Sequence, residues 1–202
     1  MKILMLDIET TPLQVYTWGL WDQNIGINQI IKHTEIMCFG AKWLGQKKVT
    51  FKSVHHHGKQ AMLEELHAMM DKADILVGWN SAAFDHKHIK REFLEAGMEP
   101  PSSTKDLDLM SVVKSNFLFP SNKLDYVAQK LGVGAKVKHS GFELWIDCMD
   151  GKDKAWKEMK SYQIQDVELL DKLYEVLLPW LSGGGRVTSK DKQEIADLDK
   201  MV

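Results

Sequence analysis

Asp7 and Glu9 stand two residues apart at the end of an apolar run, Ile3-Leu4-Met5-Leu6. On a strand that spacing puts both carboxylates on one face, roughly 6.5 Å apart. Two acids on one face of an apolar strand are costly unless a cation neutralises them. A bare Asp-x-Glu pair is more often a solvated strand end. Asp85 opens a helical pattern a few residues after the short apolar stretch Ile75 to Trp79, and an acid in a first helical turn also suits the helix dipole. Tyr162 and Asp166 lie four apart in the longest helical pattern and so share a face. They sit near the border of an apolar stripe formed by Trp156, Met159, Val167, Leu170, Leu173 and Leu177. Each acid alone has a plain structural explanation, and their combination does not.

The elements that must position these groups follow from periodicity. Residues 2–9 read as a strand, and the nearly continuous apolar run suits the middle of a sheet. Thr10-Thr11-Pro12 should break it, and a long irregular segment with Tyr16, Trp18 and Trp21 follows. Ile36 to Trp43 and Val49 to Val54 read as two antiparallel strands joined by a turn near Gly45. His55-His56-His57-Gly58 reads as a loop, Lys59 to Lys72 as a helix and Ile75 to Trp79 as a strand. Asn80-Ser81 offers a helix cap, Phe84 to Ala96 a helix closed by Gly97, and Lys105 to Met110 a further strand. Leu124 to Leu131 is a short helix, Gly134 to Gly141 a basic loop, and Asp153 to Leu178 the longest helix, stopped by Pro179. Antiparallel strands first, then alternating helix and strand, give an α/β mixed sheet flanked by helices with the first strand central. That order is compatible with, though not specific to, a ribonuclease H-like architecture.

The length of 202 residues is that of one domain, expected over 1–181 with a flexible or weakly helical tail over 182–202. At this length no large fused machine is expected. The balance of 44% hydrophobic and 27% charged residues excludes global disorder. No run reaches the ~18 apolar residues of a membrane helix, and the start lacks the pattern of a signal peptide. Cys38 and Cys148 form no CxxC, which argues against a disulfide scaffold or zinc knuckle and fits a reducing cytoplasm. The formal charge of −2 carries no nucleic-acid footprint by itself. Two divalent cations on four carboxylates would turn the balance mildly basic. Lysines gather at 42–52, at Lys136 and Lys138, and at 152–160, and each group singly reads as a solvated face.

Taken together, the chain resembles the DEDD superfamily of 3′→5′ exonucleases over residues 1 to about 178. The first motif stands as Leu6-Asp7-Ile8-Glu9-Thr10-Thr11-Pro12, the second as Gly78-Trp79-Asn80-Ser81-Ala82-Ala83-Phe84-Asp85, and the third as Tyr162-Gln163-Ile164-Gln165-Asp166-Val167. Tyr162 marks the tyrosine subclass, because the position where the other subclass has histidine is Ser161. The resemblance is to stand-alone, phage-type members and to family B polymerase proofreading domains. It implies a ribonuclease H-like fold and release of nucleoside 5′-monophosphates from a single-stranded or frayed 3′ end. It also implies two divalent ions, Mg²⁺ or Mn²⁺, since hard oxygen ligands favour them over zinc.

The same resemblance implies roles. Asp7 would bridge both ions, Glu9 and Asp166 would complete the site of the attacking water, and Asp85 would help hold the second ion. Tyr162 would orient that water rather than act as a base, since an ordinary Tyr has a pKa near 10. Thr10, Thr11, Leu13, Asn80 and Phe84 would approach the terminal nucleotide, Leu13 as an apolar wedge. Asn122, Lys123 and Asp125 resemble a family stretch before the third motif, where Asp125 is more often a local structural partner. DNA is the preferred substrate, with room for a polymerase or replication partner in trans and no membrane. RNA trimming of the ribonuclease D kind, and a non-catalytic nucleic-acid or protein-binding member of the fold, stay as alternatives. Trp18 and Trp21 could stack on bases or pack in a loop. His55 to His57 are read as a solvated run, Asp106 and Asp108 as surface or helix-cap groups, and His139 as a phosphate or solvent contact.

Overall fold

The structure, a computed structural model, describes residues 1–137 and 139–181. A five-stranded sheet is built from β1 (Ile3–Thr10), β4 (Ile36–Trp43), β5 (Thr50–Ser53), β6 (Ile75–Gly78) and β7 (Lys105–Asp108), in the order β5-β4-β1-β6-β7. β4 runs antiparallel to β1 and β5, while β6 runs parallel to β1 and β7. The fold is thus the expected mixed sheet, with the first strand at its centre. A separate ribbon of β2 (Gln14–Val15) and β3 (Ile30–Lys32) roots the segment that follows β1.

β1 is buried on both faces, and its alternation decides where the acids go. Leu4, Leu6 and Ile8 pack with Met62, Leu63 and Leu66 of α2 (Lys59–Asp71) and with Ile89 and Phe93 of α3 (Asp85–Glu95). Ile3 and Met5 pack on the other face with Val167, Leu170 and Leu173 of α7 (Asp153–Leu177). Asp7 and Glu9 continue that second row and so point toward α7. Burying each such apolar side chain stabilises by about 1.5–3 kcal/mol, and a slip of one residue would exchange the two faces. Register is therefore firmly set.

α7 lies unusually close to the sheet at Gly40, the residue paired with Asp7. A Cβ there would sit 2.9 Å from both Gln163 Cγ and Val167 Cγ2. Gly40→Ala is expected to push α7 away and cost about 1–3 kcal/mol. At roughly 2–4 °C per kcal/mol for a chain of this size, a thermal melt reads the effect directly. An unchanged melting temperature would show that α7 yields freely.

Several local expectations need correction. His55 to His57 form no loop but a helical turn, α1 (Val54–His57), because the Ser53 hydroxyl accepts the His56 N–H at 3.3 Å. Asn80-Ser81 do not cap a helix: Asn80 takes φ +64° and its carbonyl closes a turn at Ala83 and Phe84, so α3 begins only at Asp85. β7 ends at Asp108, whose carboxylate accepts the N–H of Met110 and Ser111 and starts α4 (Leu109–Asn116), ending the strand expected to reach Met110. The segment after Pro12 holds the β2–β3 ribbon rather than being wholly irregular. α6 (Glu143–Met149) was not apparent in the sequence; it is short and buries only Leu144 and Cys148, too few positions for a readable period. α5 (Leu124–Lys130) and α7 match their expected spans closely. No helix among the described residues is long and apolar enough to cross a membrane. The expected tail over 182–202 and the Lys138 part of the basic loop lie outside the described residues.

Candidate active site

Asp7 and Glu9 reach the site from the C-terminal end of β1, where ligands bind in open α/β sheets. The strand is bulged between Glu9 and Thr10, a device that re-aims side chains beside functional sites. α7 delivers Tyr162 and Asp166 from one face, one turn apart. Oxygens of Asp7, Glu9 and Asp166 lie within 4.8 Å of one another. Asp85, at the first turn of α3, lies outside that trio and accepts the Ile8 N–H at 3.1 Å, which puts its carboxyl at the backbone amide that follows Asp7, within reach of the Asp7 charge.

Two further side chains complete the cluster. Gln163 is fully buried and donates from Nε2 to the Asp7 carbonyl at 2.7 Å and to Asp7 Oδ2 at 2.8 Å, so it fixes the Asp7 rotamer. Lys136 comes from the glycine-bounded basic loop. Its ammonium is ion-paired with Asp166, lies 3.0 Å from the Tyr162 hydroxyl and 5.0 Å from the Tyr162 ring centre. Asp125 holds that loop in place by accepting the Lys136 N–H at 2.8 Å. Neither Gln163 nor Lys136 stood out as a site residue in the sequence. Gln163 had one available signal, its place between Tyr162 and Asp166 on the same helix. Lys136 had none beyond local basicity.

Packing these acids together is electrostatically expensive. Burial, then the Asp166 charge, raises the Asp7 carboxyl to about 7. Burial, then Asp7, raises Asp85 to about 8 and lifts Glu9 well above the usual range. Burial also raises Asp166 against the opposing pull of Lys136. Acids held above their ordinary pKa bind protons more tightly when folded. Their contribution to stability is therefore full below about pH 4 and declines as pH rises toward 7–8. The metal-free protein is expected to melt lower at about pH 8 than at about pH 5.5. Mn²⁺ is expected to stabilise it more at the higher pH. Melts in EDTA and in Mn²⁺ across that range check both signs, and a rise with pH in EDTA would refute the electrostatic account.

The donor set suits a hard divalent cation. All three converging ligands are carboxylates, and Asp166 Oδ1 is buried without a hydrogen-bond partner among the described residues. An unpaired buried carboxylate oxygen is costly, and a cation such as Mg²⁺ or Mn²⁺ offsets that cost.

The other expected site residues are spread around this centre. Thr10 ends β1. Thr11 is bound to Glu35, accepting its N–H at 2.9 Å with its hydroxyl. Leu13 is half exposed. Asn80 donates its N–H to Asp108 at 2.8 Å, and Phe84 is partly exposed with its ring 4.6 Å from His88. Trp18 and Trp21 are 99% and 82% exposed, so neither packs in a core. His139 sets its ring 5.0 Å from that of Tyr162. The histidines of α1 stand apart: His55 stacks on Trp156 at 5.3 Å and approaches Asp153.

Comparison with known proteins agrees with this architecture. The family B DNA polymerase of the hyperthermophilic archaeon Pyrobaculum calidifontis is similar in structure, with a TM-score of 0.68 at 17% identity. The match covers 88% of this chain and 24% of that polymerase, so the chain spans about a quarter of its length. No curated protein matches the chain significantly. The family model of the RNase H superfamily matches residues 4–178, nearly the whole described chain. The protein belongs to the RNase H superfamily.

Proposed function

We propose that the chain is a divalent-metal-dependent 3′→5′ exonuclease of the DEDD superfamily, tyrosine subclass. It would trim single-stranded or frayed DNA from the 3′ end and release nucleoside 5′-monophosphates. The observation that carries this reading is the convergence of Asp7, Glu9 and Asp166 within 4.8 Å, with Tyr162 on the Asp166 face of α7. The catalytic unit of this reading is residues 1–181.

Asp7, Glu9 and Asp166, with Asp85 beside them, would hold two Mg²⁺ or Mn²⁺ ions, which would supply a nucleophilic water and neutralise charge on the leaving oxygen. The side chains do the rest. Gln163 keeps Asp7 turned into the cluster. Tyr162 remains a protonated phenol at any working pH, because burial and then the Glu9 charge push its pKa far up. It can therefore donate and accept a hydrogen bond to position the attacking water, and it cannot serve as a base. Thr10, Thr11, Leu13, Asn80 and Phe84 are the proposed contacts to the terminal nucleotide.

The preference for DNA rests on the motif pattern and on the likeness to a protein named as a DNA polymerase. That likeness also supports a polymerase or replication protein as a partner in trans. The test is digestion of 5′-labelled single-stranded DNA in Mg²⁺, in Mn²⁺ and in EDTA, beside a matching RNA. A ladder shortening from the 3′ end, absent in EDTA, is expected. Cleavage of RNA alone would favour the trimming alternative, and no cleavage of either strand would favour a binding module.

A further inference from the structure

The chain between β1 and β4 forms a hairpin arm that outruns the main sheet. Thr10 pairs with Ile36 at the end of the β1–β4 ladder, and the Thr11 N–H donates to the Glu35 carbonyl at 2.8 Å. The ladder resumes at Gln14 with Lys32 and at Val15 with Ile30, and the Tyr16 N–H donates to the Gln29 carbonyl at 2.9 Å. Among the described residues β2 and β3 pair only with each other, and no position from 11 to 35 is buried. A two-stranded ribbon of this kind is marginal by itself in water.

The tip of the arm is ordered and apolar. The Gln29 side chain donates to the Tyr16 carbonyl at 2.9 Å and accepts the Gly26 N–H at 2.7 Å, and the Gln23 side chain donates to the Trp21 carbonyl at 2.6 Å. On that frame Tyr16, Trp18, Leu20, Trp21 and Ile27 are 73–99% exposed, and a contiguous apolar patch in water marks an interaction site. Asp22 is the one charged residue between Leu13 and Ile31. With no ammonium group to hold phosphates, the tip suits an apolar protein surface better than a nucleic-acid strand.

The same chain offers such a surface at the base of the arm. A hollow of about 500 Å³ lies between Gln14 and Ile31 of the arm and Val54, Cys148, Met149 and Trp156 of the body. Gln14 ties the two walls, its Nε2 donating to Met149 Sδ at 3.6 Å. Cys148 and Trp156 are buried beneath it, and the exposed Lys32, His33 and Glu35 add a polar rim, the layout of an interface patch. The volume falls within the ~300–1,000 Å³ of pockets that take drug-sized groups, ample for an indole.

We propose that the arm is a self-association device. Two copies lie with their arms antiparallel across a two-fold axis, and each seats Trp18 and Trp21 in the hollow at the base of the other's arm. The arrangement is self-consistent, because a two-fold axis through the middle of two side-by-side arms sets each tip beside the opposite base. The three tip aromatics offer roughly 450–750 Å² per copy, more than half of the ~800 Å² per partner that a standard interface buries. Leu20, Ile27 and the hollow's walls supply the remainder. A tip ordered in advance also lowers the entropy cost of docking.

The test is mass in solution, by light scattering and sedimentation of the full chain over a concentration series. A concentration-dependent dimer is expected. Trp18→Ala combined with Trp21→Ala, at exposed positions whose folding a melt confirms, is expected to weaken association by about 30-fold or more, the scale of losing a central aromatic anchor. Met149→Glu puts a charge in the hollow and should weaken association likewise; Ile31→Glu, at an exposed wall position, replaces it if a melt shows Met149→Glu unfolded. An equimolar mixture of the tip and hollow variants should regain part of the dimer, because one intact tip then meets one intact hollow. A chain that is monomeric throughout the series overturns the proposal, and loss of single-strand binding in its tip variant would then assign the tip to nucleic acid. A dimer untouched by the tip variant, a hollow variant that dimerises fully because tips meet tips, or a mixture that regains nothing overturns it as well.

Discussion

Asp7→Asn is expected to abolish 3′ trimming and, at the same time, to make the metal-free protein more stable. The two effects share one cause. Asp7 is held to a pKa of about 7 by burial and by Asp166, so at pH 8 its charge is forced on a site that disfavours it. Asn keeps the shape and can still accept from Gln163 Nε2. It removes the repulsion with Glu9 and Asp166, and the melting temperature in EDTA at pH 8 should rise. The gain should shrink as pH falls toward 4, where the wild-type carboxyl is already protonated. Trimming should drop by about a thousandfold or more, the scale of losing a preorganised charge at a reacting centre. Stabilisation by Mn²⁺ should drop with it. In the wild type, saturation at about 100 Kd is worth about 2.7 kcal/mol, or roughly 5–10 °C at this size. A variant that still trims, or still shows the full Mn²⁺ shift, would remove Asp7 from the site.

Lys136→Met should move metal-free stability the other way. The ammonium faces Asp166 directly and also lowers the charging cost of Asp7 and Glu9. Taking it away leaves Asp166 buried without its partner. Breaking a fully buried pair costs about 3–5 kcal/mol. Because the Lys136 side chain is 29% exposed, water screens part of that, and about 1–3 kcal/mol is expected. The same ammonium competes with a divalent cation for the carboxylates, so the variant should bind Mn²⁺ more tightly, by about tenfold, a modest fraction of the bare charge repulsion at such distances. Calorimetric Mn²⁺ titration and melts in EDTA read the two effects separately. Weaker Mn²⁺ binding would show that Lys136 supports the metal site rather than standing in for its charge.

Much of the site was legible because two of its geometries are local. The alternation of β1 fixes Asp7 and Glu9 on one face, and the repeat of α7 fixes Tyr162 and Asp166 on one face. The apolar run of β1 also fixed its central place, since only a strand covered on both sides is apolar at every position from Ile3 to Leu6. Periodicity reports which residues share a face. It does not report which faces meet.

The rest depended on contacts far apart in the chain. Asp85 is aimed by the Ile8 N–H, and the turn before it by Asp108 bonding to Asn80. Lys136 enters the cluster because Asp125 anchors a loop that has no period of its own. The short helices α4 and α6 are set by a cap at Asp108 and by packing of Leu144 and Cys148, too brief for any repeat to show. The sequence alone thus determined that Asp7 and Glu9 share a face of β1 and that Tyr162 and Asp166 share a face of α7. Tertiary structure decided that the carboxylates of the two elements face one another, and that a lysine from a loop pairs with Asp166, because only long-range packing can oppose like charges at such short range.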